Sequence, residues 1–251
     1  MYWVGVDIGS LTVKIVAVDA SRQVMAAKVA PAGRSGVQVA ETLLAELPAD
    51  EIRSVVATGY GRVVFSRADL EVSEITCHAR GVAHLFPDAR TVVDVGGQDS
   101  KAVRVAPGGR VLQFAMNERC AAGTGRFLEV MARALEIPVN ELASLAMGAK
   151  ESVPVSSTCT VFAESEVVGH LNAGRKVTDV AAGLVDAIAI RIVGLVRQVG
   201  AEPRIVMTGG VALNSAVVRA LSQRLGLEVS VPPNPQTVGA LGAALIALEK
   251  S

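Results

Sequence analysis

Aromatic residues account for only 3% of this chain, tryptophan occurs once, and cysteine occurs three times, at Cys77, Cys120 and Cys159. The 24 basic residues are cancelled by 24 acidic ones. With few aromatics and no basic stripe, nucleic acid is not expected as a partner. Three cysteines are too few for a disulfide framework, and in a reducing compartment they point to metal, redox or core roles. No run reaches the roughly 18 uncharged residues that a membrane span requires. The most apolar window, 180–199, is interrupted by Asp186, Arg191 and Arg197 and reads as a buried helix. The chain opens on the strand-like Trp3-Val4-Gly5-Val6-Asp7 without the order of a signal peptide, so a cytoplasmic location is expected and no membrane association. It also lacks a Gly-x-x-x-x-Gly-Lys-Ser/Thr loop and a strand-led Gly-x-Gly-x-x-Gly, which removes the P-loop and Rossmann routes to a nucleotide.

What is present is a large apolar fraction, 51% of 251 residues, enough to bury a sizeable core in one or two domains. Residues 2–29 read as three short strands rich in valine and isoleucine. Residues 36–47 have helical periodicity, 52–57 read as a buried strand and 73–85 as a second helix. Residues 91–116 then repeat the three-strand pattern, with Pro107-Gly108-Gly109 as a hairpin turn. The repetition holds letter by letter. Asp7-Ile8-Gly9-Ser10-Leu11-Thr12-Val13-Lys14 aligns with Asp94-Val95-Gly96-Gly97-Gln98-Asp99-Ser100-Lys101, sharing Asp, an aliphatic residue, Gly, and Lys at the eighth place. Likewise Val55-Val56-Ala57-Thr58-Gly59 echoes Ile205-Val206-Met207-Thr208-Gly209. The chain reads as two halves of one design, the second lengthened by helices inserted between Gly123 and Val199.

Each half carries an aspartate before a glycine-containing turn. Glycine lets backbone N–H groups face a phosphate, and the aspartate can hold the water shell of a Mg²⁺ ion on its oxygens. Singly, Asp-x-Gly is a common hairpin turn; two such turns facing each other would clamp a triphosphate. Two cysteines stand at expected helix starts. Cys120 precedes Ala121-Ala122-Gly123-Thr124-Gly125-Arg126-Phe127, and Cys159 sits in Ser156-Ser157-Thr158-Cys159-Thr160. A helix N-terminus favours a thiolate, a phosphate or an anionic metal cluster, although a lone cysteine is more often a small buried hydrophobe.

Asp7-Ile8-Gly9-Ser10 and Asp94-Val95-Gly96-Gly97 resemble the two phosphate motifs of the acetate and sugar kinase, heat-shock ATPase and actin superfamily. Met207-Thr208-Gly209-Gly210-Val211 resembles its adenosine motif. More specific are Ala57-Thr58-Gly59-Tyr60-Gly61-Arg62, the Gln98-Asp99 continuation of the second motif, and the two cysteine stretches. Together these are similar to the activator ATPase, component A, of 2-hydroxyacyl-CoA dehydratases, a family shared with the ATPase subunits of benzoyl-CoA reductase. The resemblance covers essentially the whole chain. It implies an α/β, actin-like ATPase fold of two duplicated domains, each with a mixed central sheet flanked by helices. Residues 1–89 with a C-terminal helix over 235–251 would form the first, and residues 90–234 the second.

The resemblance further implies a homodimer with one [4Fe-4S] cluster at its interface, each subunit giving Cys120 and Cys159. A four-iron cluster normally takes four thiolates, and a symmetric pair of chains would supply them. Cys77 is left over and reads as core, lacking metal-ligand spacing around it. By the same similarity ATP and Mg²⁺ bind between the halves, a reduced ferredoxin or flavodoxin supplies one electron, and hydrolysis passes it to a dehydratase. Asp7 and Asp94 would hold hydrated Mg²⁺; Gly9, Ser10, Leu11, Thr12, Gly96, Gly97, Gly123 and Thr124 would belong to the phosphate and cysteine loops. Gln98 or Asp99 would orient the attacking water, with a turn cap as the other reading of Asp99. Gly209, Gly210 and Asn214 would line the adenosine pocket, and Gly239 would open the final helix near the hinge. Lys14 and Lys101 are phosphate contacts or solvated strand ends, the latter slightly favoured. The competing readings are an ATPase subunit of an aryl-CoA reductase, a small-molecule kinase, which leaves the cysteines unexplained, and a zinc module, for which neither cysteine has a close partner.

Overall fold

A computed structural model describes residues 1–117, 121–156 and 159–251. β1 (Tyr2–Ile8), β2 (Thr12–Val18) and β3 (Val24–Pro31) form an antiparallel meander. After α1 (Gly36–Ala45), whose first turn is capped by the Ser35 hydroxyl, β4 (Ile52–Thr58) returns parallel to β1. The short β5 (Leu70–Glu71) completes a five-stranded sheet in the order β3-β2-β1-β4-β5. β1 is buried on both faces from Val4 onward, which is why it reads as a continuous apolar run rather than an alternating one.

The second half repeats the plan. α2 (Glu74–Leu85) leads to the meander β6 (Thr91–Val95), β7 (Ser100–Ala106) and β8 (Arg110–Asn117). Four helices follow: α3 (Gly125–Ala134), α4 (Leu142–Met147), α5 (Thr160–Asn172) and α6 (Val177–Gln198). Then β9 (Ile205–Thr208) returns parallel to β6, and α7 (Ser215–Leu225), β10 (Val229–Ser230) and α8 (Val238–Lys250) close the chain. The sheet order is β10-β9-β6-β7-β8, the counterpart of the first. The expected duplicated pair of mixed sheets is therefore present. α6 contains the apolar window of the sequence; its Leu184, Ile188 and Ile192 are buried together with Phe127 and Met131 of α3. Each such side chain contributes roughly 1.5–3 kcal/mol by leaving water. Among the described residues no helix is long and apolar enough to cross a membrane.

The two halves exchange helices. α8, the last element, packs its Ala240, Leu241, Ala244 and Leu245 onto Val16 and Val18 of the first sheet. α2, which follows the first sheet in sequence, packs Ala79 and Val82 onto Val92, Val103 and Val206 of the second. The helices touch each other through backbone. A side chain at Gly242 would place its Cβ 1.7 Å from the Cys77 carbonyl oxygen, and one at Gly81 would sit 2.3 Å from that of Val238. Only the missing Cβ permits this approach.

Cys77 lies at this crossing, fully buried among Val56, Ala243, Ile246 and Ala247, a core residue as its surroundings in sequence implied. Burial pushes its thiol up to about 12 from an ordinary 9.0. A group whose folded value is raised adds stability that is fully present below the unfolded value and is lost as pH rises through the folded one. Stability is therefore expected to fall by roughly 1 kcal/mol between pH 7.5 and 10 on account of this thiol. Urea unfolding at the two pH values checks this: Cys77→Ala should lose correspondingly less than wild type over the same interval, and equal losses in both proteins would refute it.

Candidate functional site

The duplicated strands bring their aspartates to one place. On the parallel pairs, Asp7 of β1 lies beside Thr58 of β4, and Asp94 of β6 beside Thr208 of β9. The turns that follow face each other across a cavity of about 350 Å³, lined by both aspartates and by Gly9, Ser10, Leu11 and Thr12 on one side. Gly96, Gly97, Gln98 and Asp99 line the other, with Gly209, Gly210 and Asn214 at a further wall. The turns are in contact: a Cβ on Gly97 would lie 2.6 Å from Leu11 Cγ, so Leu11 uses its side chain against the opposite turn. Gly209 has φ +86°, and a Cβ there would meet the Val95 carbonyl oxygen at 2.3 Å, so this wall requires glycine.

The charges are arranged unequally. Asp7 pairs with Lys14 Nζ through Oδ2 at 3.1 Å. In the second half Lys101, its side chain only 3% exposed, meets Glu74 at 2.6 Å, Asp99 at 2.7 Å and Asp94 at 3.5 Å. The solvated reading of the two lysines is thus corrected, because their ammonium groups turn inward onto carboxylates. Gln98 and Asp99 both line the cavity, and Asp99 spends one oxygen on Lys101. Burial alone pushes the Asp94 carboxyl up, but His78, Lys101 and the Thr208 hydroxyl outweigh it and hold Asp94 below the usual carboxylate range. Burial also lifts Glu74 above that range, against the pull of Lys101. A cavity carboxylate with raised proton affinity is suited to accept a proton from an attacking water.

Glu74 and His78 were not singled out in the sequence as site residues. They are one helical turn apart on α2, and a capping Ser73 before an amphipathic helix signals only a helix start. Their role depends on which face α2 turns to the cavity. Gly123, Thr124 and Gly239 stand outside the cavity wall. Ser100 Oγ donates to the Gly123 carbonyl at 2.6 Å, and the N–H groups of Gly125 and Arg126 donate to the carbonyls of Gly96 and Gly97 at 2.8 Å each. The start of α3 is therefore capped by the Gly96-Gly97 turn rather than left open. Gly239 lies against His78 and Asp7: a Cβ there would be 2.7 Å from His78 Nε2 and 3.4 Å from Asp7 Oδ2.

Among the described residues no three His, Cys, Asp or Glu side chains converge as a direct metal cage. Two buried carboxylates facing one cavity suit Mg²⁺ instead, which takes one or two carboxylates and fills its octahedron with waters and phosphate oxygens. Cys120 lies outside the described residues. Cys159 is the half-buried N-cap of α5, and it is followed by Val161 and Phe162, 66% and 64% exposed. With Cys77 enclosed, one chain has too few accessible thiols for a four-iron cluster, whereas a surface cysteine with an apolar flank fits one shared between two chains.

Comparison with known proteins agrees with this architecture. The chain is 50% identical to an activator of lactoyl-CoA dehydratase from Anaerotignum propionicum over 254 residues, 99% of this chain and 98% of that one. The solved structure of the activator of the 2-hydroxyisocaproyl-CoA dehydratase from Clostridium difficile, with bound ADPNP, superposes with a TM-score of 0.94. It is 45% identical and spans 100% of this chain and 95% of its own. Component A of the Acidaminococcus fermentans (R)-2-hydroxyglutaryl-CoA dehydratase superposes with a TM-score of 0.95 at 41% identity, covering 100% and 98%. The fold is the actin-like ATPase fold, and residues 4–247 match the BadF/BadG/BcrA/BcrD ATPase family, to which the chain belongs.

Proposed function

We propose that this protein is an ATP-hydrolysing activator of a 2-hydroxyacyl-CoA dehydratase, delivering single electrons from a [4Fe-4S] cluster held between two copies of the chain. The observation that carries the reading is the pair of facing aspartate and glycine turns in a family of dehydratase activators, joined by hydrogen bonds to the loop that follows Cys120. ATP would lie with its phosphates between the Gly9-to-Thr12 turn and the Gly96-Gly97 turn and its adenosine against Gly209, Gly210 and Asn214. Asp7 and Asp94 would hold the water shell of Mg²⁺, which neutralises phosphate charge when bound. Lys14, which lines the cavity beside Asp7, would add a positive charge at the phosphates. Gln98 or Asp99 would orient the attacking water; Glu74 and Asp99 both pair with Lys101, and of the two Glu74, whose carboxyl is raised by burial, would accept its proton.

Cys120 and Cys159 of each chain would hold the cluster, which when bound carries one electron at low potential. The two bodies, 1–89 with 235–251 and 90–234, would change their angle where α2 of the first packs on the sheet of the second. Because Gly96 and Gly97 cap α3, movement of the phosphate turn is passed directly to the chain behind Cys120. A reduced ferredoxin or flavodoxin is the proposed donor and the cytoplasm the proposed location.

Anaerobic purification tests the reading. The expected protein is a brown dimer with about four irons per pair of chains, hydrolysing ATP in a Mg²⁺-dependent manner and activating a dehydratase only when both ATP and a reductant are supplied. A colourless monomer after reconstitution, or ATP-dependent phosphorylation of a small molecule, would overturn it.

A further inference from the structure

His78 is 5% exposed and reaches three groups that the chain supplies from different elements. Its Nδ1 lies 3.0 Å from Thr208 Oγ1 and 3.4 Å from Asp94 Oδ1, and Thr208 Oγ1 donates to the same Asp94 oxygen at 3.0 Å. A threonine hydroxyl has one proton. With that proton on Asp94, the proton between the ring and Thr208 must belong to His78, so Nδ1 is the donor. The opposite edge of the ring, at Nε2, lies against Gly239 at the first turn of α8, next to Asp7 Oδ2. The first half has no equivalent. Thr58, in the same place beside Asp7, has the Cys77 thiol as its neighbour on α2 and no oxygen or nitrogen partner for its hydroxyl. Consecutive residues of one helix thus serve the two halves differently: Cys77 packs, and His78 holds.

We infer that His78 is a positioning residue for the metal ion. Through Nδ1 and Thr208 it fixes the rotamer of Asp94, and through Nε2 against Gly239 it sets where the first turn of α8 stands relative to Asp7. It thereby keeps the two metal-facing carboxylates in register across the crossing helices. Outer-shell groups orient the residues that hold a metal, and losing one typically lowers metal affinity about 10–100-fold. The inference rests on the Mg²⁺–nucleotide reading above.

The test is the affinity of the anaerobically purified full chain for ADP, measured by calorimetry with and without Mg²⁺; the ratio of the two isolates the metal contribution. An asparagine amide nitrogen falls near the place of Nδ1, and a glutamine nitrogen near that of Nε2. His78→Gln is therefore expected to lower the Mg²⁺-dependent ratio about 10-fold, with metal-free ADP affinity within about twofold of wild type. His78→Asn should recover most of the ratio, and Thr208→Val, which removes the relay at nearly constant shape, should lower it in the same direction. If His78→Gln keeps the wild-type ratio, or if all three variants lose ADP binding equally with and without Mg²⁺, His78 is a packing residue and the inference is overturned. A wild-type ratio near one overturns the Mg²⁺ reading itself, and this inference with it.

Discussion

Lys101→Met is expected to lower the free energy of unfolding by about 3–5 kcal/mol, the usual cost of leaving buried charge uncompensated. The ammonium group has a side-chain exposure of 3% and is the shared partner of Glu74, Asp94 and Asp99. These carboxylates raise its proton affinity by more than burial lowers it. Methionine matches the stem in volume, so the loss would come from charge and not from a cavity. Without the lysine the three carboxyls would repel one another, and their folded proton affinities would rise above the unfolded ones. Raised values add stability below the unfolded carboxyl range near pH 4 and lose it as pH rises through the folded range. The deficit should accordingly be largest at pH 7.5 and should shrink in acid. Adding Glu74→Gln to Lys101→Met should restore part of it, measured as a coupling energy in a double-mutant cycle. Urea unfolding of the single variant within about 1 kcal/mol of wild type at pH 7.5 would mean that the lysine is hydrated in solution.

The second large effect is on catalysis. Asp94→Asn is expected to lower ATP hydrolysis at saturating Mg²⁺ by about 100-fold or more. Asparagine keeps the size of the side chain and can still accept the Thr208 hydroxyl on its oxygen. Its amide nitrogen would then replace Oδ2, the atom that stands 3.5 Å from Lys101, so a donor would face a cation and the metal waters would lose their anionic acceptor. Stability should change much less than in Lys101→Met, because Lys101 retains Glu74 and Asp99. Hydrolysis within threefold of wild type, with ADP binding intact, would remove Asp94 from the metal site and leave Asp7 to hold the ion alone.

The two large effects differ in how far residue order announced them. Asp94 was visible because a strand ending in Asp-x-Gly occurs twice at the same spacing, and duplication of a short motif is a local property of the chain. The meanders, the turn at Pro107-Gly108-Gly109 and the buried helix α6 were legible for the same reason, each from the period of its own apolar residues. Gln98 was reachable through family resemblance, since a single amide after a glycine pair has no distinctive pattern. Lys101 was named but misplaced: a lysine at the eighth place of a strand motif reads as a solvated end, and nothing nearby shows that Glu74, from a preceding helix, will neutralise it. Gly123 and Thr124 read in the sequence as cofactor-binding positions in the Cys120 loop, because glycine and threonine before a helix suit an anion. The structure places them outside the cavity, behind the Gly96-Gly97 turn, whose carbonyls already take the first N–H groups of α3.

Residue order alone was enough to establish two halves of one plan, the aspartate at the tip of each, and the cysteines that belong to neither repeat. These follow from local periodicity and from letters recurring in register. Folding in three dimensions decided which helix covers which sheet, how one lysine is shared by three carboxylates, and why His78 faces Asp94 while Cys77 beside it is enclosed. Those outcomes depend on contacts between α2, β7, β9 and α8, segments far apart along the chain. The free energy of such contacts comes from desolvation and charge pairing at sites that exist only once the segments have packed.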